Sequence, residues 1–126
     1  MVKVLIVEDD IAMQQIFSEV LRIDGHTILC SGDGEDAIKQ LNTHLPDVLL
    51  LDINLPKLSG YDIIHYIHDA GVYHHMKTII VTASNNFVNS PEADMVDIVM
   101  LKPISMPQLR KMVSRLTGIK LTQIFD

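Results

Sequence analysis

Five short apolar runs punctuate the chain, at residues 4–7, 27–30, 48–51, 79–81 and 98–101. Four of them are continuously apolar and rich in Val, Ile and Leu. Strands buried on both faces have this composition, whereas half-exposed strands alternate. The segments between the runs follow a helical period. Met13, Phe17, Val20 and Leu21 form one stripe, Ala37, Ile38 and Leu41 a second, and Ile63, Ile64 and Ile67 a third. Leu109, Met112, Val113 and Leu116 form the last.

The helix ends carry matching signals. Ser59-Gly60-Tyr61-Asp62 and Ser105-Met106-Pro107-Gln108 have capping-box form. Pro107 suits a first helical turn, which has no use for its missing N–H. Gly25, Gly71 and Gly118 stand just past helical stripes, where a left-handed residue costs least as glycine. Residues 84–96 are the weak stretch. Asn85, Asn86, Asn89, Ser90 and Pro91 predict a short or frayed fourth helix. Strict β-α alternation predicts an α/β fold: a doubly wound, parallel five-stranded sheet, flavodoxin-like, with helices on both faces. The expected strand order is 2-1-3-4-5.

At 126 residues the chain has room for one domain, and 48% hydrophobic with 21% charged content suits a globular one. Ten basic residues against 16 acidic give a net charge of −6, which argues against direct nucleic-acid binding. One cysteine excludes an internal disulfide, and Cys30, in an apolar run, reads as a buried inert thiol. No apolar run reaches the roughly 18 residues of a membrane helix. Glu8, Asp9 and Asp10 interrupt the apolar start, so it does not read as a signal peptide. A cytoplasmic protein without membrane contact is the expectation.

The polar residues at the strand ends change the picture most. Glu8 and Asp9 follow the first strand, Asp52 the third, Thr82 the fourth and Lys102 the fifth. In the order 2-1-3-4-5 these ends are neighbours, and ligands of open α/β sheets bind outside the carboxyl ends of the strands. Three carboxylates gathered in one crevice repel, and a hard divalent cation such as Mg²⁺ relieves them. A carboxylate beside a metal, an ammonium and a hydroxyl is equipped to accept a phosphoryl group. His65 and His68 lie three apart, with His74 and His75 nearby. No acid completes a metal set with them, so they read as exposed polar residues.

Val7-Glu8-Asp9-Asp10, Asp52-Ile53-Asn54-Leu55-Pro56 with Gly60, Val81-Thr82-Ala83-Ser84 and Leu101-Lys102-Pro103 occur in order on the expected strands. Together they resemble the receiver domain of two-component response regulators, over residues 2 to about 117. The resemblance implies that Asp52 is the phosphoacceptor and that Mg²⁺ is held by Glu8, Asp9, Asp52 and Asn54, the last through its backbone carbonyl. It implies phosphoryl contacts from Thr82 and Lys102, and a cis Lys102–Pro103 bond. Asp10 fits a helix N-cap better than a metal ligand. Asn54 and Ser84 are expected to influence access of the hydrolytic water. The implied partner is a histidine kinase or phosphotransfer protein that docks on the first helix, about residues 11–23. The downstream effector is unknown. Residues 1–118 form the expected receiver, and 119–126 a C-terminal tail or the start of a linker.

The chain departs from the family pattern at Val99, where an aromatic residue commonly precedes the lysine by three, and in residues 84–96. Both departures fall on the family's output face and count against its usual switch and against dimerisation through that face, although a homodimer stays among the expected partners. They leave two alternatives. One is a degenerate receiver that serves only as an interaction module. The other is an aspartate-nucleophile phosphatase similar to the haloacid dehalogenase family, against which Asn54 stands where that family has its acid/base aspartate.

Overall fold

The computed structural model describes residues 2–121. Most of the expected 119–126 tail lies outside them. The strands are β1 (Lys3–Val7), β2 (Thr27–Ser31), β3 (Val48–Leu51), β4 (Lys77–Thr82) and β5 (Ile98–Leu101). The helices are α1 (Ile11–Ile23), α2 (Gly34–His44), α3 (Gly60–Ala70) and α4 (Met106–Thr117). All strand pairs are parallel, and the order is β2-β1-β3-β4-β5. The β-α alternation predicted the parallel sheet, and the strand order is the expected flavodoxin-like one.

Alternate residues of the central strands face opposite layers, as the pleat requires. Leu5, Val7, Leu49, Leu51 and Ile80 pack with Ala37 and Leu41 of α2 and Ile63 and Ile64 of α3. Val4, Ile6, Val48, Leu50, Ile79 and Val81 pack with Phe17 and Leu21 of α1 and Leu109 and Val113 of α4. The continuous runs of β1, β3 and β4 are covered on both faces, whereas that of β5, equally apolar, is not, because β5 lies at the sheet edge. The two edge strands differ. Residues 28–30 of β2 and 98–99 of β5 are only half-buried. Cys30 is accordingly half-buried rather than interior, with its Sγ 3.0 Å from the Ser18 Oγ.

The predicted caps are present. Ser59 and Ser105 form reciprocal capping boxes with Asp62 and Gln108, and Gly71 and Gly118 end α3 and α4 in the left-handed region. Gly25 is also left-handed, one residue beyond the α1 cap. The C-cap of α2 is Leu45 at φ 46°, a conformation that carries a Cβ penalty glycine would avoid. No α-helix connects β4 to β5. Two 3₁₀ turns, Asn85–Asn89 and Pro91–Met95, take its place. A bidentate Arg110–Asp24 pair, with N···O distances of 2.7 and 2.8 Å, ties α4 to the end of α1.

Candidate functional site

The carboxyl ends of β1, β3, β4 and β5 lie side by side. Lys102, just past β5, reaches back across the sheet. Its Nζ donates to Glu8 Oε1 at 2.6 Å and to Asp52 Oδ2 at 3.0 Å. Glu8 is 2% exposed and Asp52 7% exposed, so this is a desolvated network rather than a surface ion pair. The second Glu8 oxygen, Oε2, accepts the Asp10 N–H at 3.3 Å. Asp9 is exposed and places a carboxylate oxygen near those of Glu8 and Asp52, all within 4.8 Å of one another. Among the described residues, these three form the one cluster of His, Cys, Asp and Glu side chains able to hold a metal ion. Its donors are all hard oxygens with no thiol or imidazole, the set a magnesium-sized cation prefers.

Burial comes first in setting the Glu8 pKa and raises it. The Lys102 hydrogen bond draws it back, and the Asp52 charge adds to the rise; the net is upward. For Lys102, burial disfavours the ammonium. The hydrogen bonds to Glu8 and Asp52 outweigh that, and its pKa lies above the ordinary value.

Local structure holds Asp52 in place. Its N–H donates to the Val7 carbonyl at 3.0 Å, and its Oδ1 accepts the Asn54 N–H at 3.2 Å. Asn54 is exposed beside it. The loop that follows packs closely. A Cβ on Gly60 would lie 2.6 Å from Ile53 Cα and 2.8 Å from the Asp52 carbonyl oxygen. A Cβ on Gly34 would collide with the Leu58 backbone. These two glycines permit backbone contact beneath the site, and scattered glycines in a sequence do not announce that role. Lys57, in the same loop, adopts φ 69° and lies 3.5 Å from Asp33 and 3.9 Å from Glu35.

Thr82 is fully buried at the end of β4, and its Oγ1 accepts the Ser84 N–H at 3.2 Å. That leaves the hydroxyl proton to donate. The Lys102 N–H donates to the Thr82 carbonyl at 2.8 Å, which ties the two strand ends together. The Lys102–Pro103 bond is cis. Asp10 caps α1 by accepting the Met13 N–H at 3.1 Å. Beside Lys102, an apolar groove of about 600 Å³ runs between Met13 and Ile16 of α1 and Ile104 and Met106.

The sequence-predicted residues Glu8, Asp9, Asp52, Thr82 and Lys102 therefore meet at one sheet edge. The histidines do not form a site. His65, His68, His74 and His75 are exposed, and His65 pairs with Glu92 at 3.0 Å. His26 departs from that pattern. It is 6% exposed, its Nδ1 has no hydrogen-bond partner among the described residues, and burial lowers its pKa. Val99 is half-buried against the layer that contains the fully buried Phe87, whose ring lies 5.5 Å from that of Tyr61. Sequence reading did not single out Gln14, which contacts the backbone beside the acidic cluster. Its place on α1, one residue after Met13 of the apolar stripe, carried no signal.

Known proteins resemble this chain in both sequence and fold. The family model for the response regulator receiver domain matches residues 4–114. The transcriptional regulatory protein TrcR of Mycobacterium tuberculosis is 31% identical over 120 residues, covering 94% of this chain and 45% of that protein. The chain thus spans less than half the length of that relative. The polar-differentiation response regulator DivK of Brucella anthropi is 27% identical over 120 residues, covering 91% of this chain and 95% of DivK. Among solved structures, the response regulator TrrA of Thermotoga maritima, in complex with Mg²⁺-BeF, superposes with a TM-score of 0.84 at 25% identity. The match covers 92% of this chain and 99% of TrrA. A CheY-like receiver domain from Methylobacillus flagellatus superposes with a TM-score of 0.81 at 25% identity, covering 90% and 97% of the two chains.

Proposed function

Since the chain belongs to the response regulator receiver family of two-component signalling, we infer that Asp52 accepts a phosphoryl group from a phosphohistidine and that the phosphorylated state is relayed to a partner. The supporting observation is the Lys102 ammonium 2.6 Å from Glu8 and 3.0 Å from Asp52, beside the exposed Asp9.

In the proposed step, an Asp52 carboxylate oxygen attacks phosphorus in line. The P–O bond forms as the P–N bond to the donor imidazole breaks, and the imidazole leaves with the electron pair. Lys102 supplies positive charge to the transferring group, and Thr82 has its hydroxyl proton free to hydrogen-bond a phosphoryl oxygen. Asp9, Asp52 and the Asn54 carbonyl would hold Mg²⁺. Glu8, whose two oxygens already have donors, suits an indirect part in that set. Bound Mg²⁺ supplies charge neutralisation between the acidic residues and the phosphoryl oxygens. Asn54 and Ser84, each two residues past a site residue, would influence access of the hydrolytic water.

The chain's own chemistry is thus confined to its phosphorylation and dephosphorylation, and it serves as a signalling domain. The exposed Ile16 of α1 lines the groove beside Lys102, and Ile11 is exposed on the same helix, which favours that face for the kinase or phosphotransfer partner. Such a partner places the domain in the cytoplasm. Among the described residues no helix is long and apolar enough to cross a membrane.

The test is incubation with a small acyl phosphate and Mg²⁺. Mass should rise by one phosphoryl group on the wild type, and not on Asp52→Ala or in EDTA. A wild type unlabelled by any donor would remove the reading. The two 3₁₀ turns and Val99 favour a second reading, an interaction module indifferent to phosphorylation. Partner or self-association that is identical with and without beryllofluoride would select it.

A further inference from the structure

The acidic cluster contains one side chain with no local support. Glu8 is held by Lys102 and the Asp10 N–H, and Asp52 by Lys102 and the Asn54 N–H. Asp9 is exposed, and its carboxylate has no hydrogen bond among the described residues. The direction of its side chain therefore depends on its backbone, and so on the Glu8–Asp9 peptide plane.

That peptide lies beyond the last β1–β2 pair, Val7 with Ser31. The Glu8 N–H still reaches the Ser31 carbonyl at 3.0 Å, but the Glu8 carbonyl has passed the end of the sheet ladder. Gln14 supplies the missing donor. Its Nε2 lies 3.1 Å from the Glu8 carbonyl oxygen and 3.1 Å from the Ser31 carbonyl oxygen, so the two amide hydrogens serve two strand ends. Gln14 is half-buried on α1, and its own N–H is bonded within the helix to the Asp10 carbonyl at 2.9 Å. The side chain thus starts from a fixed point on the helix that follows the acidic turn.

Building on the receiver reading of the site, we propose that Gln14 is a positioning residue, which clamps the Glu8–Asp9 peptide so that the exposed Asp9 carboxylate is presented to a divalent cation. It does not touch the cation or the phosphoryl group. Removing its donors frees the peptide plane to rotate, and Asp9 then samples directions away from Glu8 and Asp52.

The test is Mg²⁺ titration followed by the backbone amide resonances of residues 8–10, on wild type, Gln14→Met and Gln14→Arg. Met keeps length and helix propensity but has no donor, whereas Arg keeps donors. The Mg²⁺ dissociation constant should rise about tenfold in Gln14→Met and return to within about threefold in Gln14→Arg, the range seen when partners of metal ligands are altered. Unfolding midpoints in EDTA report any structural loss separately, and rescue by Arg is not expected of a residue that only fills space. Should Gln14→Met not fold, Gln14→Ala takes its place. A donorless variant that titrates like the wild type would overturn the proposal. A wild type that neither binds Mg²⁺ nor takes a phosphoryl group would overturn the receiver reading itself, and that result needs no variant.

Discussion

The edge formed by Glu8, Asp52 and Lys102 and the neighbouring segment 85–95 are built on opposite plans. At the edge, three side chains are locked by two short hydrogen bonds, which span 94 and 50 residues of sequence, on the ends of buried strands. Segment 85–95 is held by one buried ring, Phe87, and a few local bonds. Ser90 Oγ and N–H both reach the Phe87 carbonyl, at 2.6 and 3.0 Å. Glu92 reaches His65 of α3 at 3.0 Å on the surface. Two short 3₁₀ turns have few backbone bonds to lose. The difference teaches where precision and compliance are placed. The charged groups are positioned by the sheet, whereas the adjoining segment rests on one fully buried ring, the half-buried Ala93 and a few local bonds. Ser84, the residue just before it, nevertheless donates its N–H to the Thr82 hydroxyl.

The comparison breaks most directly at Phe87. Phe87→Ala should cost about 3 kcal/mol in urea unfolding, since a fully buried ring leaves a cavity. Amide exchange should accelerate more in 85–95 than in β1, β3 and β4, where it follows only the global loss. Equal acceleration throughout would mean that the two regions are one cooperative unit. Next is Lys102→Met, which leaves the Glu8 and Asp52 carboxylates buried without their cation. A loss of about 2–3 kcal/mol in EDTA is expected, at or below the usual range for a broken buried pair because the lysine is 22% exposed. Unchanged stability would show that the network is solvated.

A pH series in metal-free buffer sharpens the contrast through opposite signs. The folded pKa of His26 lies below its ordinary 6.5, so stability is complete above that value and is lost as pH falls through the window beneath it. The folded pKa of Glu8 lies above its ordinary 4.5, so its protonation regains stability as pH falls through that folded value, fully so below 4.5. His26→Leu should remove the first loss and keep the second effect. An unaltered acid profile would remove His26 from the account. The smallest effect belongs to Glu92→Gln. It removes a pair with a half-exposed histidine and should change the unfolding free energy by no more than about 0.5 kcal/mol. A larger loss would show that the turns depend on that pair.

Much of this molecule was legible in the order of residue types. Continuous apolar runs locate β1, β3, β4 and β5, and covering on both faces accounts for the first three, whereas β5 lies at the sheet edge. Cap chemistry is local, so Ser59, Asp10, Gly71 and Gly118 could be placed without knowing the fold. The acidic pair, Asp52, Thr82 and Lys102 could be assigned to one edge because a parallel α/β sheet brings its strand ends together.

Other features required the assembled structure, because they depend on distances between segments remote in sequence. Edge position, not composition, leaves Cys30 half-buried. Close backbone approach, not turn geometry, explains Gly34 and Gly60. The Lys102 contact with Glu8 spans 94 residues, and Gln14 reaches Ser31 across 17. Sequence determined which chemical groups stand at the ends of the strands. Tertiary packing decided which of them are desolvated, which are held, and which, like Asp9, rely on a neighbour's hydrogen bond for direction.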